Sequence, residues 1–419
     1  MKTILIEGNR ALHGHVHVSG AKNAALPLLF ATLLTRDVSI FHALPHIRDV
    51  DIVLGLLEEL GGIVLFEGDM CQIDTRPIKD ALCTSPMAKQ LRGSLYLLGA
   101  GLGQFGHAFC SMPGGCDLGV RPIDQHLKAF EALGGIAHIT PNGIEITAEQ
   151  LKGADISFDV VSVGATINAM LAATKAQGKT ILRGVSKEPY VLDVAQFINA
   201  CGGCVRGAGS DVIEIDGVTE LHGAEFHISP DMMEAGTYLL WGVATGGEVS
   251  ISPVRTDDLS ALIDALHLMG VEMKIGKGSI TTYATSHIRP ISLCTMPFPG
   301  FPTDLHPQLS ALLCKAEGES HIEECVWPNR FQYASQLARA GGVFSRYDNS
   351  IYIHGQPSFH GAVMEAPDLR AGAAVLTMAL MAKGISVIEG VDVILRGYEN
   401  VVGKLRGLGA NIFLRAGAS

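Results

Sequence analysis

The sequence predicts an α/β protein of two domains, each assembled from three copies of one unit. Three observations carry this reading: a helix–glycine–strand pattern that occurs six times, a second and wholly apolar helix on the same period, and polar residues gathered at the repeat boundaries. The first pattern reads LLEELGGIVLFEGD from Leu56, FEALGGIAHITPNG from Phe130, FINACGGCVRGAGSD from Phe197, LHLMGVEMKIGKG from Leu266, LARAGGVFSRYDNS from Leu337 and LRGLGANIFLRAG from Leu405. Each copy closes an amphipathic helix, stops it at glycine and opens an alternating strand. The stops at Gly61, Gly134, Gly202, Gly270, Gly341 and Gly409 recur every seventy residues or so, roughly the length of a small α/β subdomain and too long for a solenoid unit.

The second helix of each unit is apolar nearly all round, as a helix enclosed by its own domain must be. The copies are AKNAALPLLFATLL, KQLRGSLYLLGAGL, VGATINAMLAATKA, EAGTYLLWGVATG, DLHPQLSALLCKA and LRAGAAVLTMALMA. The helix before each glycine stop keeps a wet face instead: Ile52, Val53, Leu56, Leu57 and Leu60 form one stripe, with Glu58 and Glu59 opposite. Each unit thus offers an inner helix, an outer helix and about four strands.

Lys22, Arg92, Ser162, Met232, Asp304 and Arg370 occupy nearly the same repeat position, at or just before the start of an inner helix. Ser162 and Asp304 suit an ordinary first turn, whereas Lys22, Arg92 and Arg370 oppose the helix dipole by a few tenths of a kcal/mol each. A repeated unfavourable choice points to an anion site. The loops before the outer helices add Arg48 and Asp49, then Cys116, Arg121 and Asp124, then Glu188, Arg255 with Asp257, Asn329 with Arg330, and Arg396. Two rings of loops on two sets of three units imply two domains that face one another across a charged cleft.

A chain of 419 residues with 47% hydrophobic and 17% charged residues has ample apolar material to bury. The net charge of −11 argues against nucleic acid or an anionic membrane as partner, while a local arginine cluster can still receive a small anion. The start of the chain lacks the apolar run of a signal peptide, and the most apolar stretch stops at Lys383 and Gly384, so a cytoplasmic protein without membrane insertion is expected. Nine cysteines form no disulfide framework. The CGGC at Cys201 to Cys204 has the spacing of a redox or zinc motif, yet it also simply flanks the third glycine stop.

The stretch SMPGGCDLGVRPIDQH, Ser111 to His126, places Cys116 behind two glycines and five residues before Arg121. A thiol beside a guanidinium is shifted toward thiolate and can carry a proton for an anionic substrate. The alternative is a small residue buried in a turn.

Together with SGAKNAALP, VSVGAT, GFPTDLHPQ, NRF, PDLRA and RGYENVVGKLRGLGA, that loop resembles the UDP-N-acetylglucosamine 1-carboxyvinyltransferases from end to end. They are a branch of the enolpyruvyl transferases; the sister 5-enolpyruvylshikimate-3-phosphate synthases lack the PGGC loop. The resemblance implies an inside-out α/β barrel of six βαβαββ repeats, three per domain. One domain would span 22–229 and carry the cysteine loop, and the other would combine 1–21 with 230–419, with the active site in the cleft between them. The implied reaction moves the enolpyruvyl group of phosphoenolpyruvate to the 3-hydroxyl of UDP-N-acetylglucosamine, a first step of peptidoglycan synthesis. It proceeds through a tetrahedral ketal and releases phosphate, with no metal, organic cofactor or obligatory protein partner.

By the same resemblance Cys116 is the general acid and Asp304 accepts the hydroxyl proton. Lys22, Arg121 and Arg396 would bind phosphate, Arg330 and Arg370 the carboxylate, and Arg92 belongs to the same constellation. Asn23 and Asp304 match residues that hold the sugar. Arg121, Pro122, Ile123, Asp124 and Gln125 match nucleotide contacts, as do Ser162, Val163, Gly164 and Val326. Ser162 to Gly164 also suits a plain helix cap. Five or six unpaired cations would repel, so the free protein is expected to rest open and to close on the anion. Alkylation of Cys116 by small anionic epoxides, as by the family's inhibitor fosfomycin, is a further expectation.

Some positions depart from the family pattern. Val160 stands where a lysine is common, Tyr190 where a glutamate is, and Met232 where an arginine is. Pro328 replaces a glutamate, and Val393 to Leu395 replace a His-x-Asp segment. Two other readings therefore stand beside the first: transfer to another acceptor, such as a nucleoside monophosphate, and a paralogue that binds nucleotide sugar without turnover.

Overall fold

Three inner helices in each half of the molecule are buried along almost their whole length, and everything else is arranged around them. The computed structural model describes residues 2–112 and 122–416. The chain folds into two compact units, one of residues 20–112 and 122–229 and the other of residues 2–19 and 230–416. The first is called the inserted unit below and the second the flanking unit.

In the inserted unit the inner helices are α1 (Lys22–Ala31), α3 (Tyr96–Phe105) and α5 (Val163–Ala173), and the outer ones α2 (Arg48–Glu59), α4 (Asp124–Ala132) and α6 (Pro189–Ala200). In the flanking unit the inner helices are α7 (Met232–Thr245), α9 (His306–Leu313) and α11 (Leu369–Met381). Its outer helices are α8 (Ser260–Leu268), α10 (Tyr333–Ala338) and α13 (Val401–Gly407), with a single turn, α12 (Asp392–Leu395), before the last. Every residue of α9 and α11 is buried, as the all-round apolar pattern requires.

Among the described residues six four-stranded sheets complete the units, three in each, and all share one plan. Strand Ala81–Cys83 pairs in parallel with His107–Ser111, which pairs antiparallel with Gly143–Thr147, which pairs antiparallel with Ile136–Thr140. α3 links the first two strands and α4 leads into the hairpin, so the chain order is βαβαββ. Three sheets close with strands from far along the chain. Glu225–His227 supplies the parallel edge beside Val38–His42 at the start of the inserted unit. In the flanking unit His13–His17 plays that part beside Glu248–Ser252, and Thr3–Glu7 lies between Ile385–Glu389 and Asn411–Arg415.

All six glycine stops have positive φ, between 83° and 106°, the left-handed backbone that ends a helix at little cost only for glycine. Cys201 is buried at the end of α6 and Cys204 begins the next strand, both as free thiols, and no metal-binding cluster occurs among the described residues. The CGGC spacing follows from the helix stop. One inner helix departs from the expected form: the segment before α3 folds as two tight turns, Pro86–Gln90 and Arg92–Leu95, separated by extended Leu91. The Ser94 hydroxyl lies 3.0 Å from the Ala88 carbonyl and 2.7 Å from that of Leu91, satisfying backbone acceptors that a continuous helix would have paired.

Candidate functional site

The inner-helix starts hold the residues that the sequence repeat singled out. Lys22 is the first residue of α1, Ser162 caps α5, Met232 opens α7, and Arg370 is second in α11. Arg92 opens the turn that leads into α3, and Asp304 lies two residues before α9. Cys116 and Arg121 lie outside the described residues.

In the flanking unit, Asp304 receives two guanidinium groups. Its Oδ1 is 2.7 Å from Arg330 Nη2, and its Oδ2 is 3.0 Å from both Nη2 and Nε of Arg370. Arg330 and Arg370 are buried, while the Asp304 side chain keeps 26% of its exposure. Helix α11 explains how a cation stands in its first turn. Asp368 caps the helix, its Oδ1 accepting from the backbone N–H of Arg370 and Ala371, so the helix end has a carboxylate of its own. Arg370 Nη1 also donates to the Tyr398 hydroxyl at 3.5 Å. Burial opposes the Arg370 charge, but Asp304, Tyr398 and Asp231 outweigh it and raise its pKa.

Behind this trio lies Glu324, the last residue of strand Glu319–Glu324 and 1% exposed. Five donors converge on it. The Thr295 hydroxyl and the N–H groups of Val326 and Trp327 reach Oε1 at 2.8 Å, while Thr303 Oγ1 at 2.8 Å and His306 Nδ1 at 2.7 Å reach Oε2. Burial works against its charge, yet His306 and the other donors outweigh burial and bring its pKa down to about 2. His306 is itself fully buried, which lowers its pKa, and its Nε2 has no hydrogen-bond partner. A proton on Nδ1 makes that nitrogen the donor to Glu324.

In the inserted unit, Lys22 Nζ lies 2.6 Å from Oδ2 of Asp49, a fully buried residue in the first turn of α2. Arg92 Nη2 donates to the Pro122 carbonyl at 3.3 Å. Ile123 caps α4, exposed Asp124 opens it, and Gln125 folds back onto the loop before α5. There Gln125 Nε2 reaches Asp159 at 3.1 Å and its Oε1 accepts from the Asp159 N–H at 3.0 Å. That loop ends at Ser162, whose Oγ caps α5 by accepting from the Ala165 N–H at 3.3 Å. Buried His126 accepts from Asn168 Nδ2 at Nδ1, 2.9 Å away, and burial lowers its pKa to about 4. Its ring lies against Gly164, where an added Cβ would sit 2.9 Å from Cε1, so only glycine lets the start of α5 approach so closely.

Asn23 is half-buried beside Lys22, Val163 begins α5, and Arg396 is half-buried at the end of α12. The expectation of unpaired cations does not hold for three of them. Lys22 is paired with Asp49, and Arg330 and Arg370 share Asp304, so carboxylates within each unit already offset their repulsion. Sequence reasoning gave no role to Glu324, Thr303, His306, Tyr398 or His126. A signal for Glu324 existed: in ESHIEE the alternation that buries Ser320 and Ile322 also turns Glu324 inward, and an inward acid needs partners.

A chain of six βαβαββ units with cations at its inner-helix starts belongs among the enolpyruvyl transferases. The family model for EPSP synthase (3-phosphoshikimate 1-carboxyvinyltransferase) matches residues 6–405, and the chain is a member of that family. More particularly, it is 43% identical over 416 residues to "UDP-N-acetylglucosamine 1-carboxyvinyltransferase 2" of Bacillus cereus (strain ZK / E33L), covering 99% of this chain and 96% of that one. It is 42% identical to the protein of the same name from Streptococcus pyogenes serotype M3 (strain ATCC BAA-595 / MGAS315), covering 99% of each. Among solved structures, the enolpyruvyl transferase NikO from Streptomyces tendae superposes with a TM-score of 0.91 at 25% identity, over 100% of this chain and 99% of that one. EPSP synthase from Acinetobacter baumannii shares the fold, with a TM-score of 0.76 at 19% identity, over 99% of this chain and 100% of that one.

Proposed function

We propose that this chain transfers the enolpyruvyl group of phosphoenolpyruvate to the 3-hydroxyl of UDP-N-acetylglucosamine and releases phosphate. The observation that carries the reading is Asp304 held between Arg330 and Arg370, a carboxylate and two buried cations at one place. Phosphoenolpyruvate carries a carboxylate and a phosphate of about −1.5 to −2 charge, so it needs several cations. Arg330 and Arg370 take its carboxylate, while Lys22, Arg121 and Arg396 take its phosphate. The nucleotide sugar lies against Asn23, Pro122 to Gln125, Ser162 to Gly164 and Val326.

The residues then divide the proton work. The sugar oxygen bonds to C2 of phosphoenolpyruvate as its hydroxyl proton passes to Asp304, and the terminal CH2 gains a proton from the Cys116 thiol to become CH3. From the resulting ketal the CH3 returns a proton to the Cys116 thiolate, the double bond re-forms, and the C2–O bond to phosphate breaks as phosphate leaves. Asp304 cannot accept a proton well while two guanidinium groups engage both its oxygens. A substrate carboxylate that draws Arg330 and Arg370 toward itself frees an oxygen, so binding of the donor substrate prepares the base.

The test is phosphate release with phosphoenolpyruvate and UDP-N-acetylglucosamine, run beside Cys116→Ala and Asp304→Ala. Release by the wild type and loss of about 10²-fold or more in each variant is expected; an unchanged rate in Cys116→Ala removes the acid assignment. A second reading, a different nucleotide acceptor, is favoured by Val160 and Val161, which stand 61% and 48% exposed on the loop before Ser162. Turnover with another acceptor and none with UDP-N-acetylglucosamine would establish it. No helix among the described residues is long and apolar enough to cross a membrane, and we assign the reaction to the cytoplasm.

A further inference from the structure

We propose that Glu324 is a positioning residue for this reaction, a buried anionic hub that sets Asp304 and Arg330 at their working separation. The inference rests on the function proposed above for those two residues, and its basis is the geometry around the carboxylate.

Glu324 binds three separate pieces of chain. Thr295 ends strand Ser292–Thr295, Thr303 and His306 bracket Asp304 before and within α9, and Val326 with Trp327 start the loop that carries Arg330. Two of these pieces hold the residues to be positioned, and one carboxylate ties both together. The connection also runs through a side-chain relay. Arg330 Nη1 donates to Thr303 Oγ1 at 3.3 Å, and that hydroxyl donates in turn to Glu324 Oε2. Thr295 does the same on the other side, accepting from the Cys325 N–H at 3.0 Å while donating to Glu324 Oε1. The backbone fixes the loop further, with the Arg330 N–H on the Trp327 carbonyl at 3.1 Å.

A neutral side chain cannot replace this hub. Five donors need an acceptor at both oxygens, and an amide offers one acceptor oxygen while turning its NH2 toward groups that are themselves donors. A buried carboxylate without partners would be costly, so the residue is suited to this place only because the surrounding donors converge on it. Such an arrangement is what a site needs when two charged groups on different segments must keep a fixed separation.

The test compares Glu324→Gln with wild type in three measurements. Amide hydrogen exchange at Val326 and Trp327 reads the loop directly, without any substrate, and should become at least about 10-fold faster, the loss of one hydrogen bond to a charged acceptor. Calorimetric binding of phosphoenolpyruvate should weaken about 10-fold or more, whatever the acceptor. In turnover, KM for phosphoenolpyruvate should rise, and KM for UDP-N-acetylglucosamine should rise less, because Val326 is only one of the several contacts proposed for that substrate. A role confined to stability would lower the melting temperature and the active fraction and leave that KM and the exchange rates in place; this result overturns the proposal. If Glu324→Gln does not fold, Thr303→Val and Thr303→Ser supply the comparison. Valine should reproduce the loss and serine, which keeps the hydroxyl relay, should restore binding; equal behaviour of the two also overturns it. Wild-type protein that binds no phosphoenolpyruvate refutes the proposed function, and the exchange rates then decide the positioning role alone.

Discussion

Removing the carboxylate of Asp304 should leave two buried cations facing one another. Asp304→Ala deprives both Arg330 and Arg370 of their shared counterion, and both arginines are almost fully buried. Stranding a buried charge costs about 3–5 kcal/mol, but the partial exposure of Asp304 lets water and dissolved anions reach the gap, which reduces the expected cost to about 2–3 kcal/mol. For a unit of this size each kcal/mol moves the melting temperature about 2–4 °C, which predicts a fall of about 5–10 °C at low salt. An anion should restore what the mutation removes. Inorganic phosphate or phosphoenolpyruvate should therefore raise the melting temperature of Asp304→Ala more than that of wild type, because it replaces a missing charge instead of competing with one. Scanning fluorimetry at low ionic strength, with and without each anion, reads both effects. A melting temperature within about 1 °C of wild type, or equal anion stabilisation of the two proteins, would refute the view that Asp304 balances both arginines.

Three other outcomes follow from the same physical reasoning. Gly164→Ala forces a Cβ against the His126 ring and should cost about 1–3 kcal/mol, with weaker nucleotide-sugar binding measured by calorimetry at unchanged phosphoenolpyruvate affinity. His126 has a folded pKa of about 4 against an ordinary 6.5, so the unfolded chain binds the extra proton between those values and stability falls as pH falls through that window. Between pH 7 and pH 5 this amounts to about 2 kcal/mol, and His126→Gln should show a correspondingly shallower drop in melting temperature. The opposing trend from buried Glu234, whose pKa burial raises to about 6, is common to both proteins and cancels in the comparison. Cys116→Asp should retain phosphate release while resisting alkylation by an anionic epoxide, because a carboxylic acid still donates a proton but is a poor nucleophile; mass spectrometry of the treated protein checks the second half.

Local signals carried much of this architecture. The six glycine stops were readable because a left-handed residue after an amphipathic helix leaves few choices of side chain, and all six have the expected backbone. The inner helices were readable because burial on every side removes polar residues from a whole segment. Harder to see were the three strands, Thr3–Glu7, His13–His17 and Glu225–His227, that complete sheets far along the chain, since nothing local marks a partner that distant. The site shows the same division. Asp304, Arg330 and Arg370 announce themselves as charges at helix starts or loop ends, but that they form a single ion cluster is a fact of tertiary packing. Lys22 illustrates the limit: its sequence position breaks the dipole rule, and only the structure shows Asp49 beneath it. Glu324 hid because an acid at the end of a strand ordinarily faces water.

The central claim is a chemical one, that this chain moves a three-carbon group from phosphoenolpyruvate to UDP-N-acetylglucosamine, and product analysis tests it most directly. Wild-type protein incubated with phosphoenolpyruvate and UDP-N-acetylglucosamine should yield a nucleotide sugar heavier by one enolpyruvyl group, with one phosphate released for each acceptor consumed. Phosphate appearing without that product, or an acceptor recovered unchanged after prolonged incubation, would contradict it.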